Sequence, residues 1–208
     1  MNEFDDKAAS WDDDPARGER ARKVADVIRE QIALNPDMIA LEYGCGTGLL
    51  SFNLYPYLKH VTMADNSDGM LAILADKIVR FAVPNMAVVK TDLTTGVAST
   101  ESYDLIYTLM TLHHVEDIDS LLGTLNAMLN PAGHLCIADL DREDGTFHGE
   151  GFSGHNGFDR MELARVLAKN GFVVSYNELC FDVKKRGADG TIGTYPAFVM
   201  IAQKVSRG

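Results

Sequence analysis

The stretch Ala40-Leu41-Glu42-Tyr43-Gly44-Cys45-Gly46-Thr47-Gly48-Leu49 decides the reading of this chain. An apolar run ends at glycines spaced by single residues, and a mostly apolar segment, residues 49–58, follows. The pattern predicts a buried strand, a tight loop and a helix that Pro56 disturbs. Glycine tolerates left-handed backbone and lets a ligand approach the chain closely. A helix starting beyond such a loop offers free N–H groups and a partial positive charge to an anion, and a carboxylate serves as well as a phosphate. The spacing excludes two familiar loops. A dinucleotide fingerprint needs GxGxxG, and Leu49 stands at its third glycine. A phosphate-binding P-loop needs Gly-Lys-Ser/Thr, and Gly48 is followed by Leu49-Leu50-Ser51.

Outward from the loop, strands and helices alternate. Ala21, Val24, Ala25, Ile28 and Ile32 repeat at helical spacing, and Pro36 is expected to end that helix. Strands are expected at residues 38–43, 60–64, 86–90, 103–108 and 134–140. Helices are expected at residues 67–81 and 117–129, the latter closed by Asn130-Pro131, and from Asp159, which has Glu162 three positions on as in a capping box, to Gly171. Two long β-rich runs close the chain at residues 172–184 and 195–204. The short connection Gly187-Ala188-Asp189-Gly190 makes them an antiparallel hairpin. The predicted fold class is therefore α/β: a doubly wound, mostly parallel seven-stranded sheet with an antiparallel last strand and helices on both faces, in a single domain over residues 1–208.

Composition narrows the partners. The 208 residues are 46% hydrophobic and carry a formal net charge of -11. Nucleic-acid binding leaves a basic footprint, and an acidic field repels anionic membranes, so neither partner is expected. The longest basic run, Lys184-Lys185-Arg186, reads as a solvated strand end. Cys45, Cys136 and Cys180 are too far apart for a CxxC pair, so no disulfide framework or zinc site is expected. The acidic start, Met1-Asn2-Glu3-Phe4-Asp5-Asp6, lacks the features of a signal peptide, and no apolar stretch reaches the roughly 20 residues that span a bilayer. A cytoplasmic protein is expected.

Asp65 ends the second strand about twenty residues past the loop, where a doubly wound sheet sets a carboxylate beside it to accept from ribose hydroxyls. Asp92 follows the third strand, in Lys90-Thr91-Asp92-Leu93, and can accept from an exocyclic amine of adenine. Either aspartate alone reads as a cap or turn residue. The ordered set of Glu42, glycine loop, Asp65 and Asp92 is much harder to obtain by chance.

With that set, the chain resembles the class I methyltransferases that use S-adenosylmethionine (SAM) across nearly its whole length. Glu42-x-Gly44-x-Gly46-x-Gly48 resembles the family's first motif, Asp65 its ribose-binding acid and Asp92 its adenine-side acid. Residues 103–115, Tyr103-Asp104-Leu105-Ile106-Tyr107-Thr108-Leu109-Met110-Thr111-Leu112-His113-His114-Val115, resemble the segment around its fourth strand. Leu129-Asn130-Pro131-Ala132-Gly133-His134-Leu135 resembles the turn into its fifth. The resemblance implies SAM as cofactor, held by Glu42, Gly44, Cys45, Gly46, Gly48, Asp65, Asn66, Asp92, Leu93 and Leu109, with Leu109 near the methionine end. It implies that residues 1–35, around Trp11 and Arg17, form a lid.

The motifs identify the cofactor better than the acceptor. A small-molecule acceptor is expected; a nucleic-acid or protein methyltransferase and a non-catalytic SAM-binding partner protein are the alternatives. Ligands in such sheets bind beyond the carboxyl ends of the strands, which makes His113, His148 and His155 the candidate catalytic residues. His113-His114 is also a common family sequence and suits a lining role. Residues 142–158 form the expected substrate loop. Its part Phe147-His148-Gly149-Glu150-Gly151-Phe152-Ser153-Gly154-His155-Asn156-Gly157-Phe158 is too glycine-rich for regular structure. With the chain's acidity, it suggests a pocket for a compact neutral or cationic metabolite. Asp139-x-Asp141-x-Glu143 partly resembles a calcium loop but carries Asp144 at the required glycine. No metal is expected; an ion held by His148, His155 and an acid is the lesser alternative.

Overall fold

The apolar runs become the strands β1 (Ile39–Tyr43), β2 (His60–Asp65), β3 (Met86–Lys90), β4 (Tyr103–Leu109), β5 (Leu129–Leu140), β6 (Phe172–Arg186) and β7 (Ile192–Lys204). They come from a computed structural model that describes residues 4–95, 101–187 and 190–205. Met1, Asn2 and Glu3 of the acidic start, and Ala188 and Asp189 of the hairpin connection, lie outside the described residues. The strands form one seven-stranded sheet in the order β3-β2-β1-β4-β5-β7-β6. β7 runs against both of its neighbours, and all other pairings are parallel.

The chain winds from β1 outward through β2 to β3, then returns to place β4 on the other side of β1. That reversal opens a crevice at the carboxyl ends of β1 and β4, where ligands of such sheets bind. The helices α1 (Pro15–Gln31), α2 (Asp68–Arg80), α3 (Ile118–Met128) and α4 (Arg160–Lys169) cover the faces. Alternate residues of one strand point to opposite faces. Ala40, Leu105 and Tyr107 accordingly join the core under α1, with Val24 and Ile28. Leu41 and Ile106 join the core under α3 and α4, with Leu121, Leu125 and Leu167. Each helix starts on a side-chain cap. Asp14, Ser67, Asp117 and Asp159 accept from backbone N–H groups of the first turn, which stabilises each helix by about 1 kcal/mol.

Three elements depart most from the sequence expectation. Residues 49–58 do not form a helix. They fold as two short 3-10 turns, Ser51–Asn53 and Tyr55–Tyr57, closed by Leu54 N–H to Ser51 O (2.9 Å) and Leu58 N–H to Tyr55 O (3.3 Å). Pro56 lacks the N–H that a continuous α-helix would donate to Phe52 O, and its ring crowds that carbonyl, so the segment breaks into two short turns. The glycine loop therefore has no long helix dipole behind it, and the expected anion site at a helix start is absent there. α1 stops at Gln31, before Pro36, because Ile32 is already extended. β5 starts at Leu129, ahead of His134. Among the described residues, no helix is long and apolar enough to cross a membrane.

Candidate functional site

The glycine loop is tied down from below. Gly44 and Cys45 N–H both donate to Ala64 O at the end of β2 (2.8 and 3.1 Å). Gly44, Gly46 and Gly48 all have positive φ (68°, 51° and 81°), which the turn requires and glycine permits. Asp65 accepts from Gly46 N–H through Oδ2 (2.8 Å) and from Ser67 N–H through Oδ1 (2.9 Å). It thus pins the loop to the start of α2, a role the sequence did not disclose. A carboxylate has about four acceptor positions, so both oxygens keep capacity for a ligand.

The N-terminal segment straps across the loop. The Asp12 carboxylate accepts from Thr47 Oγ1 (2.6 Å) and pairs with Lys77, whose ammonium also donates to Thr47 O (2.8 Å). Asp5 accepts from Ser67 Oγ (2.6 Å) and Gly69 N–H (3.0 Å) at the start of α2. Arg17 stacks on Trp11 at 3.9 Å and donates to its carbonyl (2.6 Å).

Between strap, loop and strand ends lies a cavity of about 850 Å³. Of the expected cofactor residues, Glu42, Gly44, Cys45, Gly46, Asp65, Asn66, Asp92 and Leu109 line it. Gly48 and Leu93 do not. A Cβ at Gly48 would press on Leu74 and Met63, and Leu93 is buried in the core. Phe4, Trp11, Arg17 and Arg20 line the cavity from the strap. Met110, at the end of β4, lines it too and holds a positive φ of 56°, strained for a non-glycine and typical of functional sites.

The far end belongs to histidines and aromatics. His113, His114, Phe147 and His148 line the cavity there. His113 is buried, and its Nδ1 meets Asp139 Oδ1 at 2.5 Å. Asp139 is fully buried and also accepts from His113 N–H (3.2 Å) and Leu140 N–H (2.7 Å). A carboxylate in that position holds the ring proton on Nδ1 and leaves Nε2 as an electron-pair donor. The ring of His148 stacks on Phe152 at 3.7 Å. The loop over residues 142–158 is clamped at its base: Arg142 N–H donates to Phe158 O (3.0 Å), Glu143 N–H to Asn156 O (3.0 Å) and His155 N–H to His113 O (2.7 Å).

The structure does not bring His155 into the cavity lining. Its ring lies against Phe158 and its Nε2 is 3.3 Å from Glu116 O. His114 takes the lining role expected of the His113-His114 pair, and the basic run lies at the exposed end of β6 as expected; in addition Lys184 and Lys185 line the cavity, while Arg186 lies off it, donating to Gly190 O (3.0 Å). With Lys7, Arg17 and Arg20 also in the wall, beside acids that include Asp14, Glu116 and Asp117, the cavity is of mixed charge. The carboxylates of the partial calcium motif are spent separately: Asp139 under His113, Asp141 against Arg160 (3.6 Å), and Glu143 on Gly145 and Phe147 N–H.

Glu42 is buried and accepts from Ser51 N–H (3.2 Å) and from Ser51 Oγ, which meets Tyr107 OH at 2.6 Å. Burial pushes its carboxyl up to about 8, against partial relief from Ser51. The folded state then holds a proton that the unfolded chain releases near 4.5, so stability falls as pH rises from about 4.5 to about 8. In the cofactor-free protein, Glu42→Gln is expected to melt higher than the parent by a margin that widens from pH 5 to pH 8. A margin independent of pH in thermal melts would show that Glu42 titrates normally. Burial also raises the Cys45 thiol, which argues against a thiolate nucleophile there.

A family model described as a methyltransferase domain matches residues 16–181, and the chain belongs to that family. It is 32% identical over 147 residues to an uncharacterised methyltransferase of Schizosaccharomyces pombe, covering 62% of this chain and 51% of that protein. It is 28% identical over 150 residues to phosphoethanolamine N-methyltransferase 1 of Arabidopsis thaliana, covering 69% of this chain and 30% of that one. The chain thus spans about half the length, or less, of these curated relatives. It is similar in fold to magnesium protoporphyrin IX methyltransferase of Synechocystis, solved with bound SAH, at a TM-score of 0.68 and 15% identity over 90% of this chain and 83% of that one.

Proposed function

We propose that this chain transfers a methyl group from SAM to a small-molecule acceptor. The observation that carries the reading is the cavity itself. Glu42, Asp65 and Asp92, from the carboxyl ends of β1 to β3, line one end of it and the His113–His148 cluster lines the other. Its volume of about 850 Å³ is near the upper end for small-molecule sites, which run to about 1,000 Å³. It suits a cofactor and a compact second molecule, not a macromolecule. The net charge of -11 argues against a nucleic-acid acceptor. The names of the Arabidopsis and Synechocystis relatives point to small acceptors as well.

In this reading Asp65 and Asp92 accept from the ribose and adenine of SAM, and the bare Gly44–Gly46 backbone lets the cofactor lie against the loop. SAM supplies an activated methyl group. The chain supplies alignment, since bringing acceptor and methyl within about 3–3.5 Å contributes roughly 7–11 kcal/mol. Phe4 and Trp11 exclude water, and His113 presents Nε2 toward the acceptor. We place the protein in the cytoplasm, in keeping with its free cysteines Cys45, Cys136 and Cys180.

SAM and SAH (S-adenosylhomocysteine, the demethylated cofactor) are expected to raise the melting temperature. A ligand at 100 times its Kd adds about 2.7 kcal/mol, which corresponds to on the order of 5–10 °C for a domain of this size. NAD and ATP are expected to leave it unchanged. A larger shift with NAD than with SAM overturns the cofactor assignment. Labelled methyl transfer from SAM to a metabolite extract then identifies the acceptor by mass.

A further inference from the structure

The acceptor end carries more nitrogen donors than alignment requires. One ring nitrogen each from His113, His114 and His148 lies within 4.8 Å of the other two. The rings face one another closely: His113 and His114 at 4.2 Å, His113 and His148 at 5.0 Å, His114 and His148 at 5.1 Å. They come from two segments far apart in sequence. His113 and His114 sit on a 3-10 turn after β4, and His148 on the glycine-rich loop after β5. The backbone bond from His155 N–H to His113 O (2.7 Å) holds those two segments together.

We propose that His113, His114 and His148 form a binding site for a divalent transition metal ion of the zinc type, which holds the methyl acceptor. The donor set fits the ion. Imidazole suits zinc and its neighbours, and three protein ligands with an open fourth position are the pattern of catalytic zinc sites. The surroundings fit it too. Metal-bound histidines usually donate their other ring N–H to a carboxylate, which fixes the tautomer and raises ligand basicity. Asp139 is placed to accept from His113 Nδ1 at 2.5 Å, from full burial. Ligands about 2.0–2.1 Å from a shared tetrahedral ion stand about 3.4 Å apart, so donors that lie within 4.8 Å of one another need to close by at most about 1.4 Å. His113 is anchored by Asp139, so His114 and His148 supply the movement.

The site narrows the acceptor, and this step rests on the methyl-transfer reading. An oxygen or sulfur anion keeps a lone pair for the methyl after giving one to a metal; an amine nitrogen does not. With the reacting atom as the ion's fourth ligand, the acceptor is a hydroxyl or a thiol. Coordination lowers its pKa, and its proton passes to water. The O–C or S–C bond forms as the methyl–sulfonium bond breaks, and the electron pair stays on the cofactor sulfur.

The test uses the whole chain after treatment with a chelator. Zinc titration by calorimetry is expected to give one ion per chain, and cobalt(II) the intense visible bands of a tetrahedral nitrogen site. His114→Ala and His148→Ala are expected to weaken zinc binding at least tenfold and to lose those bands. Asp139→Asn is expected to weaken it by about 10–100-fold. SAH binding, measured in parallel, reports folding and the cofactor end separately. Zinc binding that survives both histidine variants, or no zinc binding by a chain that still binds SAH, overturns the metal site and leaves the methyl-transfer reading standing. A chain that binds zinc but not SAH retains the metal site and loses that reading.

Discussion

Gly44→Ala is expected to lower the melting temperature by on the order of 10 °C, and Gly46→Ala by less than half of that. Both positions have positive φ, 68° and 51°, so an L side chain costs about 1–2 kcal/mol at either. Their surroundings differ. A Cβ at Gly44 would overlap the Thr111 side chain and approach even its Cβ to 2.8 Å, so rotating Thr111 cannot clear it. Thr111 also donates to Gly44 O (3.2 Å) and leads the turn that carries His113. Overpacking of this kind adds about 1–3 kcal/mol, and each kcal/mol is about 2–4 °C in a domain of this size. At Gly46 the nearest atom is Met70 Sδ at 3.9 Å, so the added methyl enters open space in the cavity. Gly46→Ala should then lose SAH affinity out of proportion to its small loss of stability. Equal melting temperatures for the two variants would show that Thr111 yields easily.

The sheet was legible because buried strands leave apolar runs punctuated by glycine, proline and acids. Residues 60–64 read as a strand and form β2, with Val61 to Ala64 buried. The last helix was legible from its start and stop signals, the capping box at Asp159 and Gly171 just past its end. Residues 49–58 carried apolar residues that suit a helix, but Leu50 and Leu54 bury equally well from two 3-10 turns. Only Pro56 marked the difference. The acids were legible because the topology brings the carboxyl ends of β1, β2 and β3 to one crevice, whatever their side chains do.

The acceptor end was harder to read for reasons of long-range geometry. Lys184 and Lys185 enter the cavity wall because β6 is 15 residues long and reaches past the β1–β5 strand ends, which no local pattern announces. His148 and His155 share one glycine-rich loop. Which of them turns inward depends on left-handed backbone at Gly149, Gly151 and Gly157 and on the clamp from His155 N–H to His113 O. A Cβ at Gly157 would strike the Asp141 carbonyl, so that glycine is needed for the loop to return to β5. Asp139 stood out as an acid at a strand end. Its burial beneath His113, which makes it a positioning residue, needed both β4 and β5 to be placed.

Asp65→Ala is expected to weaken SAH binding by about 10–150-fold, the equivalent of roughly 1.5–3 kcal/mol for two charge-assisted hydrogen bonds to the ribose. From sequence the fold is expected to survive, since a carboxylate at a strand end adds little core. The structure changes that expectation, because Asp65 also accepts from Gly46 and Ser67 N–H. Stranding a buried donor costs about 1–3 kcal/mol, but the half-buried setting of Asp65 lets water replace part of each bond, so the lower end applies. The loss of affinity then has two sources: missing ribose contacts and a loosened loop. Asp65→Asn separates them. It keeps an oxygen for one backbone donor but has no charge, and its NH₂ faces a donor in place of an acceptor. Calorimetry with SAH, paired with melts of both variants, reads the two effects. If Asp65→Asn restores the melting temperature but not the affinity, the ribose contacts dominate. If stability and affinity recover together, the loop does. Unchanged affinity in a folded Asp65→Ala protein would mean that the ribose is held elsewhere.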